Sequence, residues 1–366
     1  MKKLGFGLMR LPLKDKKEPT SIDMEELCRM VDSFLEQGFT YFDTAWMYHG
    51  FASESAIKTA LVERHPRDSY TLATKLHAEF FSSLEGRDEI FNKQREKTGV
   101  EYFDYYLLHD VNEEHLKVYE ELDCFRWLRE KKEQGLVRHM GFSFHDTPEL
   151  LDQVLTQHPE VEFVQLQINY LDWESERVQS RRCYETAKKH GKPVVVMEPV
   201  KGGTLADVPE DVEKLFKALN PEASIPSWAI RFAAGLDNVM MVLSGMSSME
   251  QLLDNTATVS RLEPLNEQEQ DAVLKAAEMI RSSVAIPCTG CSYCTDGCPM
   301  GIPIPEIFNL YNRVKRGESR NTRYGKITEN RGKASACVGC GQCEGVCPQH
   351  LPVRDYLHQM AARFED

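Results

Sequence analysis

Eight of the eleven cysteines in this chain stand in two copies of one pattern near the C-terminus. Cys288, Cys291, Cys294 and Cys298 precede Pro299, and Cys337, Cys340, Cys343 and Cys347 precede Pro348. Both copies read C-x2-C-x2-C-x3-C-P. Three thiols two residues apart can wrap the corners of one small inorganic cube from a single tight loop, while the fourth points away toward the site of the other copy. The stretch is thereby constrained to two interlocked cages. One takes Cys288, Cys291, Cys294 and Cys347; the other takes Cys337, Cys340, Cys343 and Cys298. This is the ligand run of [4Fe-4S] clusters, so the chain is expected to move electrons one at a time. Structural zinc on pairs of C-x2-C is the rival, and it leaves the full eightfold pattern without a reason. A disulfide framework suits small secreted chains. Cys28, Cys124 and Cys183 occur singly in partly apolar stretches and are expected to be small buried hydrophobes.

The 366 residues exceed one average domain and suit a large barrel with a small appendage. A hydrophobic share of 42% is enough for such a core, and a formal charge of −13 opposes nucleic acid and anionic membrane surfaces as partners. No apolar run approaches a membrane span. The opening Met1-Lys2-Lys3, followed by Leu4 to Leu13, imitates the basic end of a signal peptide. Its apolar run is short, is broken by Arg10 and lacks a small-residue cleavage site, so a strand is expected there. The expected location is the reducing cytoplasm, which also suits oxygen-sensitive clusters.

Over the first 260 or so residues, short apolar runs alternate with longer amphipathic stretches. The runs are Leu4–Met9, Phe39–Asp43, Tyr70–Lys75, Tyr105–His109, His139–Ser143, Phe163–Gln167, Val194–Met197 and Val239–Ser244. Helical patterns fill Met24–Gln37, Glu113–Gln134, Thr147–Gln157, Arg177–Lys189 and Ser227–Ala234, with glycines at the expected helix ends Gly38, Gly135, Gly191 and Gly235. Eight β-α alternations predict an α/β fold, a closed parallel (β/α)8 TIM barrel. No G-x-G-x-x-G follows a strand, which argues against an ordinary dinucleotide-binding sheet. The charged run Lys14–Glu18 is expected to be a solvated loop. The predicted division is a barrel over 1–262, a connecting helix over 263–279 and a small, mainly helical iron–sulfur domain over 280–366. The 38 residues between Cys298 and Cys337, with a helical pattern over Pro305–Lys315, resemble the helical ferredoxin domains of fumarate reductase and heterodisulfide reductase iron–sulfur subunits.

Polar residues at the C-terminal ends of barrel strands are where such folds place their chemistry. Here those ends read Asp43, Lys75, His109, Ser143, Gln165 and Glu198, and Tyr48 follows Asp43 by five residues. In this the sequence resembles the aldo-keto reductases. The resemblance places the family's Asp, Tyr, Lys and His on Asp43, Tyr48, Lys75 and His109, each after the expected strand. Further echoes are Leu4-Gly5-Phe6-Gly7, Gly141-Phe142-Ser143, Gln165 with Asn169, and the stretch Ser244 to Asn255. What it implies is an oxidoreductase that interconverts a small carbonyl and an alcohol, with NAD(P)H as hydride donor and Tyr48 as general acid or base. A free phenol has a pKa near 10, too weak an acid at neutral pH, and a neighbouring Lys75 ammonium would favour the phenolate. His49 and His145 are expected to be ordinary loop residues.

The resemblance also implies a cofactor site at Ser143, Gln165, Asn169, Met197, Lys201, Gly202, Ser244, Gly245, Gln251 and Asn255. Two features depart from it. Met197 takes the place of a ring that stacks on nicotinamide, and Glu198 puts a negative charge near the pyrophosphate. The adenosine stretch Gly245–Asn255 has no Arg or Lys for a 2′-phosphate, while Glu250 and Asp254 are acidic. Either a basic residue arrives from elsewhere, or NADH is preferred, or nicotinamide is not the donor. Two alternatives follow. Clusters could feed single electrons to a bound carbonyl without nicotinamide, or the barrel could bind nicotinamide as a redox-sensing regulatory subunit. An electron-transfer protein is a further expected partner.

Overall fold

The structure is a computed structural model and describes residues 2–15, 18–315 and 323–365. Lys16 and Lys17, two of the five residues in the run expected as a solvated loop, lie outside the described residues. The backbone divides into two compact units. The first comprises Met1–Glu174, Gln179–Pro199 and Pro226–Asn266; the second comprises Ser175–Val178, Val200–Ile225 and Glu267–Asp366.

Eight strands form the first unit: β1 (Leu4–Gly7), β2 (Tyr41–Asp43), β3 (Thr71–His77), β4 (Phe103–Val111), β5 (Val137–Phe144), β6 (Phe163–Gln167), β7 (Val194–Met197) and β8 (Val239–Gly245). They pair in sequence order, all parallel, and β8 closes on β1. All eight apolar runs of the sequence are strands. The barrel interior is filled by Tyr41, Ala73, Leu107, Phe163, Val195, Met241 and Leu243. Because side chains alternate along a strand, the residue two positions on shares the same inward face. Two residues past Tyr41, Ala73, Leu107, Phe163 and Val195 stand Asp43, Lys75, His109, Gln165 and Met197. The core thus sets the address of the polar layer above it.

Helices cover the outside for ordinary reasons. Met24–Glu36 is capped by the Asp23 carboxylate, which accepts from the Glu26 N–H, and buries Leu27, Met30, Val31 and Phe34 at helical spacing. Each such side chain contributes roughly 1.5–3 kcal/mol when taken out of water. The single helix expected over Glu113–Gln134 is two, Glu113–Glu121 and Cys124–Glu133, because Asp123 turns left-handed at φ 52° between them. The helix expected from Arg177 begins only at Ser180, after a left-handed Gln179. Gly38, Gly135 and Gly191 end their helices at positive φ, whereas Gly235 does not.

The second unit is helical. Glu267–Ser283, Glu210–Leu219, Ile304–Lys315 and Val353–Phe364 are its longer helices. Its core joins Ile286, Ile302, Ile307, Phe308, Leu351, Leu357 and Met360, with five of the cysteines packed against it. Val200–Ile225, which the sequence reading assigned to the barrel, belongs to this unit. No helix among the described residues is long and apolar enough to cross a membrane.

Candidate active site

At the C-terminal end of the barrel, Lys75 is fully buried and donates to Asp43 Oδ1 at 2.5 Å and to the Thr44 carbonyl at 2.7 Å. Its ammonium stands 5.1 Å from the centre of the Tyr48 ring. Burial works against the charge on Lys75, but Asp43 and then Tyr48 outweigh it and hold the lysine above its usual pKa. For Asp43, burial pushes the carboxyl up and Lys75 pulls it part of the way back. The Tyr48 ring meets His109 edge to face, with centroids 6.0 Å apart. Tyr48 opens a tight turn in which His49, Gly50 and Phe51 are all left-handed. Such strain persists only where the surroundings over-determine it and is typical of working sites. Here the device is visible. The Leu11 N–H donates to His49 Nε2, and His49 Nδ1 donates to the Pro19 carbonyl. Burial keeps that ring below its usual pKa. His49, expected to be an ordinary loop residue, pins the turn that carries Tyr48.

His109 is buried, and its Nδ1 has no hydrogen-bond partner. Burial first, then His77 and Lys75, hold its pKa well below that of free histidine, so the ring is neutral at pH 7. His77 stacks edge-on at 5.0 Å and is pulled down to about 4, chiefly by burial. Beyond it lie His115 and Asp110. Asp110 sits at φ 55° in an irregularity of the β4–β5 pairing. His115 Nδ1 donates to the Asp110 carbonyl at 2.8 Å. That nitrogen is therefore committed, although His77, Asp110 and His115 come close enough together to suggest a metal.

The remaining expected contacts divide. Gln165 is buried with its Oε1 unpartnered, an acceptor left for an incoming N–H. Ser143 Oγ accepts from the Asp110 N–H at 2.8 Å. Asn169 is used at both ends, donating to Asp172 and Glu198 and accepting from the Asp172 N–H. Asn255 donates to Ser244 Oγ at 3.0 Å, and Gln251 Oε1 accepts from the Ser247 N–H. Met197 ends β7 opposite Gln167. Lys201 and Gly202 belong to the second unit, where Lys201 is buried and donates to Gln349 Oε1 at 2.7 Å. A different basic residue reaches the adenosine stretch. A Cβ built on Gly245 would stand 3.0 Å from that of Arg10, the Arg10 carbonyl accepts from Ser247 Oγ, and the Arg10 guanidinium lies 3.9 Å from Glu198. A buried network also went unforeseen: Glu54, wholly inside, accepts from Thr74 and Gln94, and Lys97 lies 3.4 Å away.

In the second unit the eight cysteines of the doubled pattern line two small cavities. Cys288, Cys291, Cys294 and Cys347 face one; Cys298, Cys337, Cys340 and Cys343 face the other. Three thiols of each set come from one run and the fourth from the other. Burial raises the Cys294 thiol far above its usual value, and the neighbouring thiols add to it; Cys343 is pushed up to about 11 by burial, then by the Glu344 carboxylate and the neighbouring thiols. Burial also raises Cys347, with the Lys201 charge pulling the other way. Four thiols lining one cavity fit an iron–sulfur cube, which would take them as thiolates. Of the other three, Cys124 and Cys183 are buried as expected and pushed up to about 12, while Cys28 is only partly buried.

Comparison with known proteins agrees with this geometry. The aldo/keto reductase family signature matches residues 3–278, and a 4Fe-4S dicluster domain matches residues 287–351. The chain belongs to the aldo/keto reductase family. This aldo/keto reductase is 23% identical to the uncharacterized oxidoreductase YqkF of Bacillus subtilis over 287 residues, which cover 69% of the chain and 85% of the relative. Among solved structures it resembles the aldo-keto reductase AKR11C1 of Bacillus halodurans in its holo form, with TM-score 0.59, 24% identity and 75% and 91% of the two chains covered. It also resembles an aldo-keto reductase of Klebsiella pneumoniae in complex with NADPH, with TM-score 0.58, 16% identity and 76% and 90% covered. At these identities the structures establish the fold. The protein is an oxidoreductase of aldo-keto reductase type with a C-terminal iron–sulfur domain, and the substrates of its family are small carbonyl and alcohol compounds.

Proposed function

We propose that the barrel interconverts a small carbonyl compound and its alcohol, with Tyr48 as general acid or base, and that the second unit carries two [4Fe-4S] clusters that pass single electrons. The observation that carries the first half is the buried Asp43–Lys75 pair set beside Tyr48 and His109. The Lys75 ammonium stabilises the phenolate and so makes the Tyr48 hydroxyl a stronger acid. Asp43 and the Thr44 carbonyl hold that ammonium in place. In the reducing direction Tyr48 gives its proton to the substrate oxygen; in the oxidising direction the phenolate takes it back. His109, kept neutral by burial, can donate a hydrogen bond to the same oxygen. A nicotinamide dinucleotide, when bound, supplies the hydride. Gln165, Ser244, Asn255 and Arg10 are the residues that would hold it, with the unpartnered Gln165 oxygen suited to a carboxamide N–H.

For the second half, the two cysteine-lined cavities support the ligand sets Cys288, Cys291, Cys294, Cys347 and Cys337, Cys340, Cys343, Cys298. A cluster passes one electron and nicotinamide two. A second reading has clusters feed a bound carbonyl without nicotinamide, and the acidic Glu198, directly after β7, is the residue that favours it. Adding NADH or NADPH anaerobically, with and without a test aldehyde, separates the readings. Oxidation of the nicotinamide that depends on the aldehyde supports hydride transfer at Tyr48. Failure of either nucleotide to bind, while chemically reduced clusters still reduce the aldehyde, overturns it in favour of the second.

A further inference from the structure

The two cysteine-lined cavities differ in the burial of the cations beside them. Beside the cavity of Cys288, Cys291, Cys294 and Cys347 stands a buried lysine. Lys201 is 2% exposed and donates to Gln349 Oε1 across 148 residues of sequence, and Gln349 lines that cavity. The neighbouring turn is fitted to the same wall. Gly202 has φ 61°, and a Cβ there would stand 2.1 Å from the carbonyl oxygen of Thr289, which also lines the cavity. Only glycine lets the backbone after Lys201 approach so closely. The other cavity is lined by Arg354, but that guanidinium is 46% exposed and is paired with Glu344 at 2.8 Å. Cys340 of that cavity is itself exposed.

Reducing a cluster adds one negative charge. A cation held in a low-dielectric interior stabilises the reduced state more than one that water and salt screen. Charge, hydrogen bonding and burial around the cluster are the levers that set its potential. We infer that Lys201, held through Gln349, raises the reduction potential of the cluster in the Cys288–Cys347 cavity above that of the other, and so makes it the electron acceptor of the pair. This rests on the two-cluster reading above. The step it favours is balanced: one electron leaves the cluster in the Cys298–Cys343 cavity, the same electron arrives at the other, and no bond breaks and no proton moves. A one-electron donor, protein or chemical, supplies the first cluster.

The test is an anaerobic potentiometric titration of the reconstituted full chain, followed by electron paramagnetic resonance. Iron and sulfide are counted in each sample. Lys201→Met is expected to lower one midpoint by at least the equivalent of tenfold in equilibrium constant, 59 mV for a one-electron couple. The other midpoint should stay in place, and Lys201→Arg should restore the first. Cys340→Ser alters the signal of the other cluster and so shows which midpoint moved. Gln349→Leu, which removes the tether but keeps the lysine, should shift the same midpoint in the same direction, and it serves if Lys201→Met fails to hold iron. Unchanged midpoints in a fully loaded Lys201→Met chain, or in Gln349→Leu, overturn the inference. A wild-type chain that takes up one cluster or none overturns the two-cluster reading itself, an outcome the iron count separates from the first.

Discussion

The barrel pairs its buried charges from within the chain, whereas the second unit gathers eight thiols around two cavities. In the barrel, Lys75 has Asp43 and the Thr44 carbonyl, Glu54 has Thr74, Gln94 and Lys97, and Asp104, near the start of β4, has Arg67 and the Leu72 N–H. In the second unit, thiols gather around two cavities, and burial, with neighbouring thiols adding to it, raises Cys294 and Cys343. A buried charge is tolerable when its partner is part of the fold. A ring of inward thiols is useful only when something binds it. The barrel should therefore fold without help, and the second unit should depend on what its cysteines hold. Removing iron with a chelator under anaerobic conditions tests this most severely. Backbone hydrogen exchange should rise steeply in Ile304–Lys315 and Val353–Phe364 while β1–β8 keep their protection. Equal protection in both units after iron loss would break the comparison.

The next largest effect belongs to the barrel alone. Tyr48→Phe should reduce carbonyl turnover by roughly 10²–10⁴-fold, the usual contribution of a positioned acid, with iron content and nucleotide binding unchanged. Lys75→Met should be similarly damaging, and it also strands Asp43 without its cation. Wild-type turnover in Tyr48→Phe would sink the acid–base assignment.

These two predictions rest on features that were legible for different reasons. The cysteine pattern is local, so spacing alone pairs three thiols from one loop with a fourth from the other. The barrel's polar layer is not local, but strand alternation makes it so in effect: once Tyr41, Ala73 and Leu107 are placed inside, Asp43, Lys75 and His109 must follow on the same face. What could not be read depends on closure and on packing between distant segments. Glu54 stands beside Ser53 in a stretch that reads as surface, and only the fold sets it under Thr74 and Gln94. His49 looks like a loop residue until Leu11 and Pro19 are seen on its two ring nitrogens. Nothing in the sequence around Lys201 points to Gln349.

A smaller effect sharpens the comparison through pH. His77 is neutral in the folded barrel down to about pH 4, while a free histidine titrates near 6.5. As pH falls from 6.5 toward 4, the unfolded chain binds a proton that the folded one refuses. Stability therefore drops over this window and levels off below it, by about 3 kcal/mol for His77. His109, held still lower, extends the loss to lower pH. His115 is raised by Asp110 and contributes in the opposite sense, fully below 6.5 and lost as pH rises past its folded value. The Asp110 carboxyl, held well below its usual range, matters only at lower pH still. In denaturant titrations from pH 7 to 4, His77→Asn should flatten the slope. The substitution keeps an acceptor for the Glu79 N–H, which His77 now caps. A slope unchanged by the substitution would mean that the ring is protonated in the native state.

The smallest expected effect asks whether the barrel mouth also leaves one partner outside the chain. The stretch Gly245–Asn255 has no cation of its own, and its acidic residues argue against a 2′-phosphate. Barrel closure changes that account. Gly7 at the end of β1 pairs with Gly245 at the end of β8, so Arg10, three residues on from Gly7, arrives beside a segment 235 residues away in sequence. A charge-assisted hydrogen bond from Arg10 to a phosphate would contribute roughly 1.5–3 kcal/mol, about ten- to a hundredfold in affinity. Isothermal titration of NADPH and NADH against wild type and Arg10→Leu reads which phosphate it meets. Loss confined to NADPH places the arginine on the 2′-phosphate, and equal loss for both nucleotides places it on the pyrophosphate. Unchanged affinity for both would mean that the pair it makes with Glu198 is its whole role, and that the mouth of the barrel is as self-contained toward phosphate as Lys75 and Asp43 make it toward charge.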